Sequence, residues 1–249
     1  MTVAAALLFV ASAALTIVLC TSMSALGGMP MPGGWTMSMT WMRMPGQSWP
    51  GAATMFLGMW LVMMVAMMLP SLVPLLWRYR EAVTTTDETR LGWLTTLVGV
   101  GYFFVWTVIG AVVFLLGAVL AAIEMQQPAV ARAVPIASGI VVLIAGLLQF
   151  TRWKLRHLGC CTARPVRDGT LPDNSAAASR YGVRLGLHCA QCCSGLIAIL
   201  IVLGVMNLLA MAVVAIAITV ERLLPAGERV AQIIGGLTIG MGLLLIAQA

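Results

Sequence analysis

Residues 186–219 read GLHCAQCCSGLIAILIVLGVMNLLAMAVVAIAIT. The run contains no Asp, Glu, Lys or Arg, and it is longer than the roughly 20 apolar residues that a membrane crossing needs. The expectation is a single long membrane helix. On a helix, Cys189, Cys192 and Cys193 stand at i, i+3 and i+4 and share a face, and His188 lies four before Cys192. Thiolate and imidazole together suit copper(I), zinc or iron, and do not suit magnesium or calcium. At 100° per residue, Asn207 and Met211 return to the face of Cys189 and Cys193, with Met206 to one side. An Asn inside a membrane helix needs a partner and often marks function. Glu221 and Arg222 follow the run and read as an interfacial ion pair at its outer boundary.

The rest of the 249-residue chain agrees with this class. Charged residues make up 9%, against about 25% in soluble domains. Apolar runs at 3–26, 51–77, 91–122, 133–150, 186–219 and 230–247 predict an all-α, polytopic bundle of about six transmembrane helices forming one domain. No phosphate-binding glycine loop is present and no room is left for a soluble catalytic domain, which argues against an ATP-driven pump. Ten of the fourteen Lys and Arg residues fall in the 78–90 and 151–185 loops. Positive loops stay cytoplasmic, which places both termini inside and the 27–50 loop outside. The basic excess therefore reflects topology, and no nucleic-acid partner is expected. The first run lacks a basic leader and reads as a retained helix, in which Cys20 serves packing. Gly236 and Gly240 form a small-xxx-small pattern that lets helices approach.

Methionine is the second signal. Residues 27–50 carry Met29, Met31, Met37, Met39, Met42 and Met44 among Gly, Pro, Ser and Trp. This reads as a flexible external loop offering thioethers, soft ligands that prefer copper(I). The second run continues with Met55, Met59, Met63, Met64, Met67 and Met68. Met63 and Met67 lie on one stripe and Met64 and Met68 on a second beside it. Pro70 and Pro74 kink or end this span. The third and fourth runs carry no Cys or His and read as scaffold. The cytoplasmic 151–185 loop adds His157, Cys160 and Cys161, thiols or metal ligands in a reducing compartment.

Several of these blocks together carry a family resemblance. They are Met63-Met64-Val65-Ala66-Met67-Met68-Leu69-Pro70-Ser71, then Gln149-Phe150-Thr151 with Lys154, then His188-Cys189-x-x-Cys192-Cys193. Gly204-x-Met206-Asn207-Leu208-x-x-Met211 and Glu221-x-x-x-Pro225 complete the set. The chain resembles a family of bacterial metal-binding integral membrane proteins across about 50–228. The resemblance implies metal binding and a multi-pass location in the bacterial inner membrane. It departs from the family in having Ser194 where an aromatic residue follows the paired cysteines.

Three functions fit these residues. The first is acquisition, transfer or storage of copper(I) through Met and Cys/His ligands, with zinc or iron as other candidate metals. Its partners would be the metal ion, the lipid bilayer and a soluble metal-exchange protein or companion subunit. The second is a copper- or iron-dependent membrane oxidoreductase, or a subunit of one. The third is a structural or assembly subunit. The ligand set expected for the metal is His188, Cys189, Cys192, Cys193, Cys160, Cys161, His157, Met63, Met64, Met67, Met68, Met206, Asn207 and Met211.

Overall fold

Capping residues set most of the helix starts. In a computed structural model, which describes residues 2–25, 27–43, 46–83, 87–154, 156, 174–224 and 227–248, α1 spans Thr2–Ala25. Ser48 caps α2 (Trp49–Ala82) by accepting from the Gly51 amide, with a Pro in the first turn. Asp87 caps α3 (Glu88–Gln126). Pro128 opens α4 (Pro128–Leu148). Asn174 caps α5 (Ser175–Leu203), Asn207 caps α6 (Leu208–Leu223), and α7 covers Gly227–Gln248. Six of these, α1 to α5 and α7, are long and apolar enough to cross a membrane. Pro70 and Pro74 lie inside α2 and do not end it.

The main departure from expectation is in the run that was read as one helix. It stops at Leu203 and restarts at Leu208. Gly204 adopts φ +104°, a conformation that L side chains rarely reach. The Asn207 amide donates to the Gly204 carbonyl at 3.0 Å, closing a turn. The Asn207 side chain accepts from the Ala210 amide at 3.1 Å. Asn207 is thus an exposed helix cap, not a tie on the cysteine face. Met211 likewise belongs to α6 and has left the cysteine helix.

Helix directions follow from where glycines let backbones touch. Gly101 meets Ser179 and Gly182, and Gly186 meets Tyr102, so α3 and α5 run parallel. Gly139 meets Gly242 and Ile246, while Gly146 meets Gly235 and Ile239, so α4 and α7 run antiparallel. Ala4 and Leu8 of α1 share an apolar groove with Leu72, Leu76 and Thr95, near the end where α3 begins. Helix α6 returns from the Met206 turn and brings Glu221 back to the level of Cys192. This extra reversal puts Thr2 and Gln248 toward opposite ends of the bundle. The expectation of both termini on one side depended on an unbroken fifth span. Gly236 and Gly240 have open space around them, so the close approach is made by Gly235 and Gly242 instead.

The methionine-rich segment is more ordered than its Gly and Pro content suggests. Gly28–Pro30 (β1) pairs antiparallel with Thr36–Ser38 (β2), with Met29 opposite Met37. Met31 and Met37 pack on Ala121 and Ala131, and the Trp35 indole donates to the Ala131 carbonyl at 2.9 Å. The hairpin is a lid on the α3–α4 connection, and only part of its sulfur faces outward.

The α3–α5 contact yields a direct test. A methyl group at Gly182 would run into the Val98 carbonyl, a backbone atom that cannot swing aside. Gly182→Ala should lower thermal stability in detergent by about 1–3 kcal/mol. Gly236→Ala, with nothing within 4 Å, should be neutral or slightly stabilising. Equal melting temperatures for the two variants would contradict the packing described.

Candidate metal centre

The α5 face that meets α2 and α3 carries the three thiols. Cys189, Cys192 and Cys193 are each 1% exposed. Burial follows from the i, i+3, i+4 spacing once small residues such as Gly182 and Gly186 draw α5 against α3. The Cys189 Sγ lies 2.8 Å from the Tyr102 Oη and 3.9 Å from the Met68 Sδ. Cys193 lies one helical turn after Cys189 and directly after Cys192 on the same buried face. Met63, Met64, Met67 and Met68 are all buried in the same core as the cysteines, and the Met68 thioether touches the Cys189 thiol.

His188 is exposed on α5, outside the buried cysteine face. Met206 sits at the Gly204–Asn207 turn, where its Sδ lies 3.9 Å from the Cys20 Sγ. Cys20 therefore touches a sulfur from a distant part of the chain, a contact that reading it as a lone packing residue did not anticipate. His157, Cys160 and Cys161 lie outside the described residues. Among the described residues, no three His, Cys, Asp or Glu side chains gather into one metal-binding group. The donors that do converge are thiols and a thioether.

Beside the thiols lies a buried polar network. The Lys154 Nζ donates to the Cys192 carbonyl at 2.7 Å and to the Glu221 Oε2 at 2.8 Å. Arg222 donates to the Ser71 Oγ at 3.4 Å, and Ser71 donates to the Met68 carbonyl. Lys154 and Glu221 are 4% and 1% exposed, and such burial is rare for charged groups unless they are paired. Both amide atoms of the buried Gln149 lack a hydrogen-bond partner among the described residues. Glu221 and Arg222 are not an interfacial pair with each other. The α6 reversal carries them inward, Glu221 to Lys154 and Arg222 to Ser71.

Chemically, this is a buried cluster of soft, polarisable donors. Thiolate and thioether favour copper(I), which accepts two or three sulfur ligands, and offer nothing to a hard cation that needs six oxygens. Sequence reading missed Tyr102 because its helix was taken as scaffold. It missed the Lys154–Glu221 pair because Lys154 is one of many basic residues after the fourth run. Two signals were available: both residues stand in the blocks that carry the family resemblance, and ionisable residues beside apolar runs tend to be functional.

A protein-family model, PpoB2, described as a copper chaperone, matches residues 57–245. The matched span holds the Met68, Tyr102, Lys154, cysteine and Glu221–Arg222 positions and leaves out α1 and the hairpin. No curated protein and no solved structure matches the chain.

Proposed function

Because this chain belongs to the PpoB2 copper chaperone family, we propose that it is a membrane-embedded copper(I) carrier whose holding site is Cys189, Cys193 and Met68. The observation that carries this reading is the buried Cys189 sulfur, which lies 3.9 Å from the Met68 thioether and one helical turn from the equally buried Cys193. Met63, Met64 and Met67 extend the sulfur lining along α2 and form a path for a soft ion. The family match points to copper and lends nothing to zinc or iron.

In this reading the six apolar helices cross the bacterial inner membrane, with α6 a shorter return of about 24 Å. The basic segments around 78–90 and 152–184 face the cytoplasm. The methionine hairpin then lies on the outer face and the cysteines toward the inner one. Copper enters among thioethers, binds more tightly at thiolates, and leaves by ligand exchange with a soluble acceptor. The oxidoreductase alternative has less support, because oxygen-activating copper or iron sites favour imidazole ligands and His188 is exposed, outside the cysteine face.

The test is a copper(I) titration of the detergent-solubilised full chain against a coloured copper(I) chelator. About one equivalent should be withdrawn from the chelator, and silver(I) should compete for it. A chain that leaves the chelator fully loaded would overturn the proposal.

A further inference from the structure

The methionine hairpin carries its sulfur on one side. The β1–β2 register sets Met29 directly opposite Met37, and the ladder runs on through the Met31 amide, which donates to the Trp35 carbonyl at 2.9 Å. Side chains alternate along a strand, so Met29, Met31, Trp35 and Met37 share one side of the hairpin. Gly28, Pro30 and Thr36 take the other side and are exposed. The shared side faces the helices, because Met31 and Met37 pack on Ala121 and Ala131 and the Trp35 indole bonds Ala131. The inward positions of the ladder are thus three methionines and one tryptophan, with none of the β-branched residues that strands favour.

The three thioethers are within reach of one ion. Directly opposed residues hold their Cβ atoms about 5 Å apart, and Met31 stands about 7 Å beyond Met29 along the strand. A methionine side chain is long, unbranched and flexible enough to bring its sulfur inward from those positions. Burial deepens across the set: Met29 is 37% exposed, Met31 9% and Met37 2%. An ion can therefore reach Met29 from water and be enclosed by the other two.

We propose that Met29, Met31 and Met37 form a docking site for a monovalent soft metal ion, copper(I) or silver(I), separate from the cysteine cluster. Binding forms metal–sulfur bonds to three neutral thioethers; no proton leaves and no oxidation state changes. Copper(I) accepts three sulfur donors, whereas zinc(II) completes its tetrahedron with thiolate, imidazole or carboxylate. One ion cannot serve both places. Ala131 lies in the first turn of α4, and Ala145, about 20 Å further along that helix, meets Gly195 one turn from Cys192. The hairpin also lies outside the span 57–245 that the family model matches. Its place at the start of a copper path rests on the reading above; its ability to bind the ion does not. Lacking a thiolate, it holds the ion more weakly than the cysteines, so a strong chelator strips it and direct titration is needed to see it.

The experiment titrates the full chain in detergent directly with silver(I), a redox-inert stand-in for copper(I), and follows carbon-13-labelled methionine methyl groups by NMR. The single variants Met29→Leu, Met31→Leu and Met37→Leu assign three of the resonances, and the triple leucine variant is the test. Leucine keeps the volume and the apolar contacts and removes the sulfur, so the hairpin should survive, which the melting temperature checks. In wild type the three resonances should move together and saturate with one further equivalent once the tighter cysteine site is filled. The triple variant should lose that equivalent and keep the tight one. Each single variant should weaken it, which provides a reading even if the triple variant does not fold. Zinc(II) at the same concentrations should move none of the three. Silver(I) in excess that leaves these methyl groups unmoved, a folded triple variant that binds as much silver as wild type, or zinc(II) that shifts them equally overturns the proposal. A hairpin that responds while loss of Cys189 and Cys193 leaves tight binding intact rejects the copper-site reading above and leaves the hairpin site standing. Tight binding at the cysteines with a silent hairpin rejects only the hairpin site.

Discussion

Replacing Cys189, Cys192 and Cys193 together with serine is expected to weaken copper(I) binding by at least about a thousandfold, because a hydroxyl is a hard and weakly acidic donor where the ion prefers thiolate. Metal content of the purified protein, measured by mass spectrometry, should fall from about one copper per chain to background. The helix should survive. A serine hydroxyl can donate to a carbonyl one turn back, so its burial inside a helix is tolerated at modest cost. Circular dichroism and the melting temperature separate loss of ligand from loss of fold. Unchanged stoichiometry in a folded triple variant would move the copper elsewhere, with the Met206–Cys20 contact and residues 157–161 the next places to look.

The second large effect concerns Glu221. Glu221→Ala removes the only carboxylate that Lys154 bonds among the described residues and leaves the buried ammonium facing the Cys192 carbonyl. Breaking a buried pair in this way typically costs about 3–5 kcal/mol, most of it the burial of the orphaned charge. Detergent-phase unfolding should show that loss directly. The double variant Lys154→Met/Glu221→Leu should regain most of it, since matched apolar side chains often replace a buried ion pair without penalty. That pattern would mean the pair is kept for its position beside the cysteines and not for stability. A Glu221→Ala chain as stable as wild type would mean that Lys154 reaches water or another acceptor.

Six helices long and apolar enough to cross a membrane were legible from composition and run length, because a hydrocarbon layer of about 30 Å demands about 20 apolar residues. The cysteine face was legible as well. The helical period places i, i+3 and i+4 together whatever the neighbours do, and all three thiols are buried on one side of α5. The break at Gly204–Asn207 was present in the letters as a stop residue followed by a capping residue. It was overridden by uniform hydropathy, which measures solvent preference and is blind to chain direction. One missed reversal then misplaced Asn207, Met211, Glu221 and Arg222 together.

The sequence by itself therefore determined the apolar character and the positions of most of its helices and the soft donors on one helical face. Only the tertiary structure decided which elements meet that face. Helix contacts are set by local steric fit, such as Gly182 under Val98 and Gly186 under Tyr102, and no periodicity encodes which surface will fit which. Through those contacts the thiols gained Met68 from α2, Tyr102 from α3, Lys154 from beyond α4 and the Glu221–Arg222 step from α6. A row of cysteines thereby became a buried cluster of soft donors beside the Lys154–Glu221 ion pair.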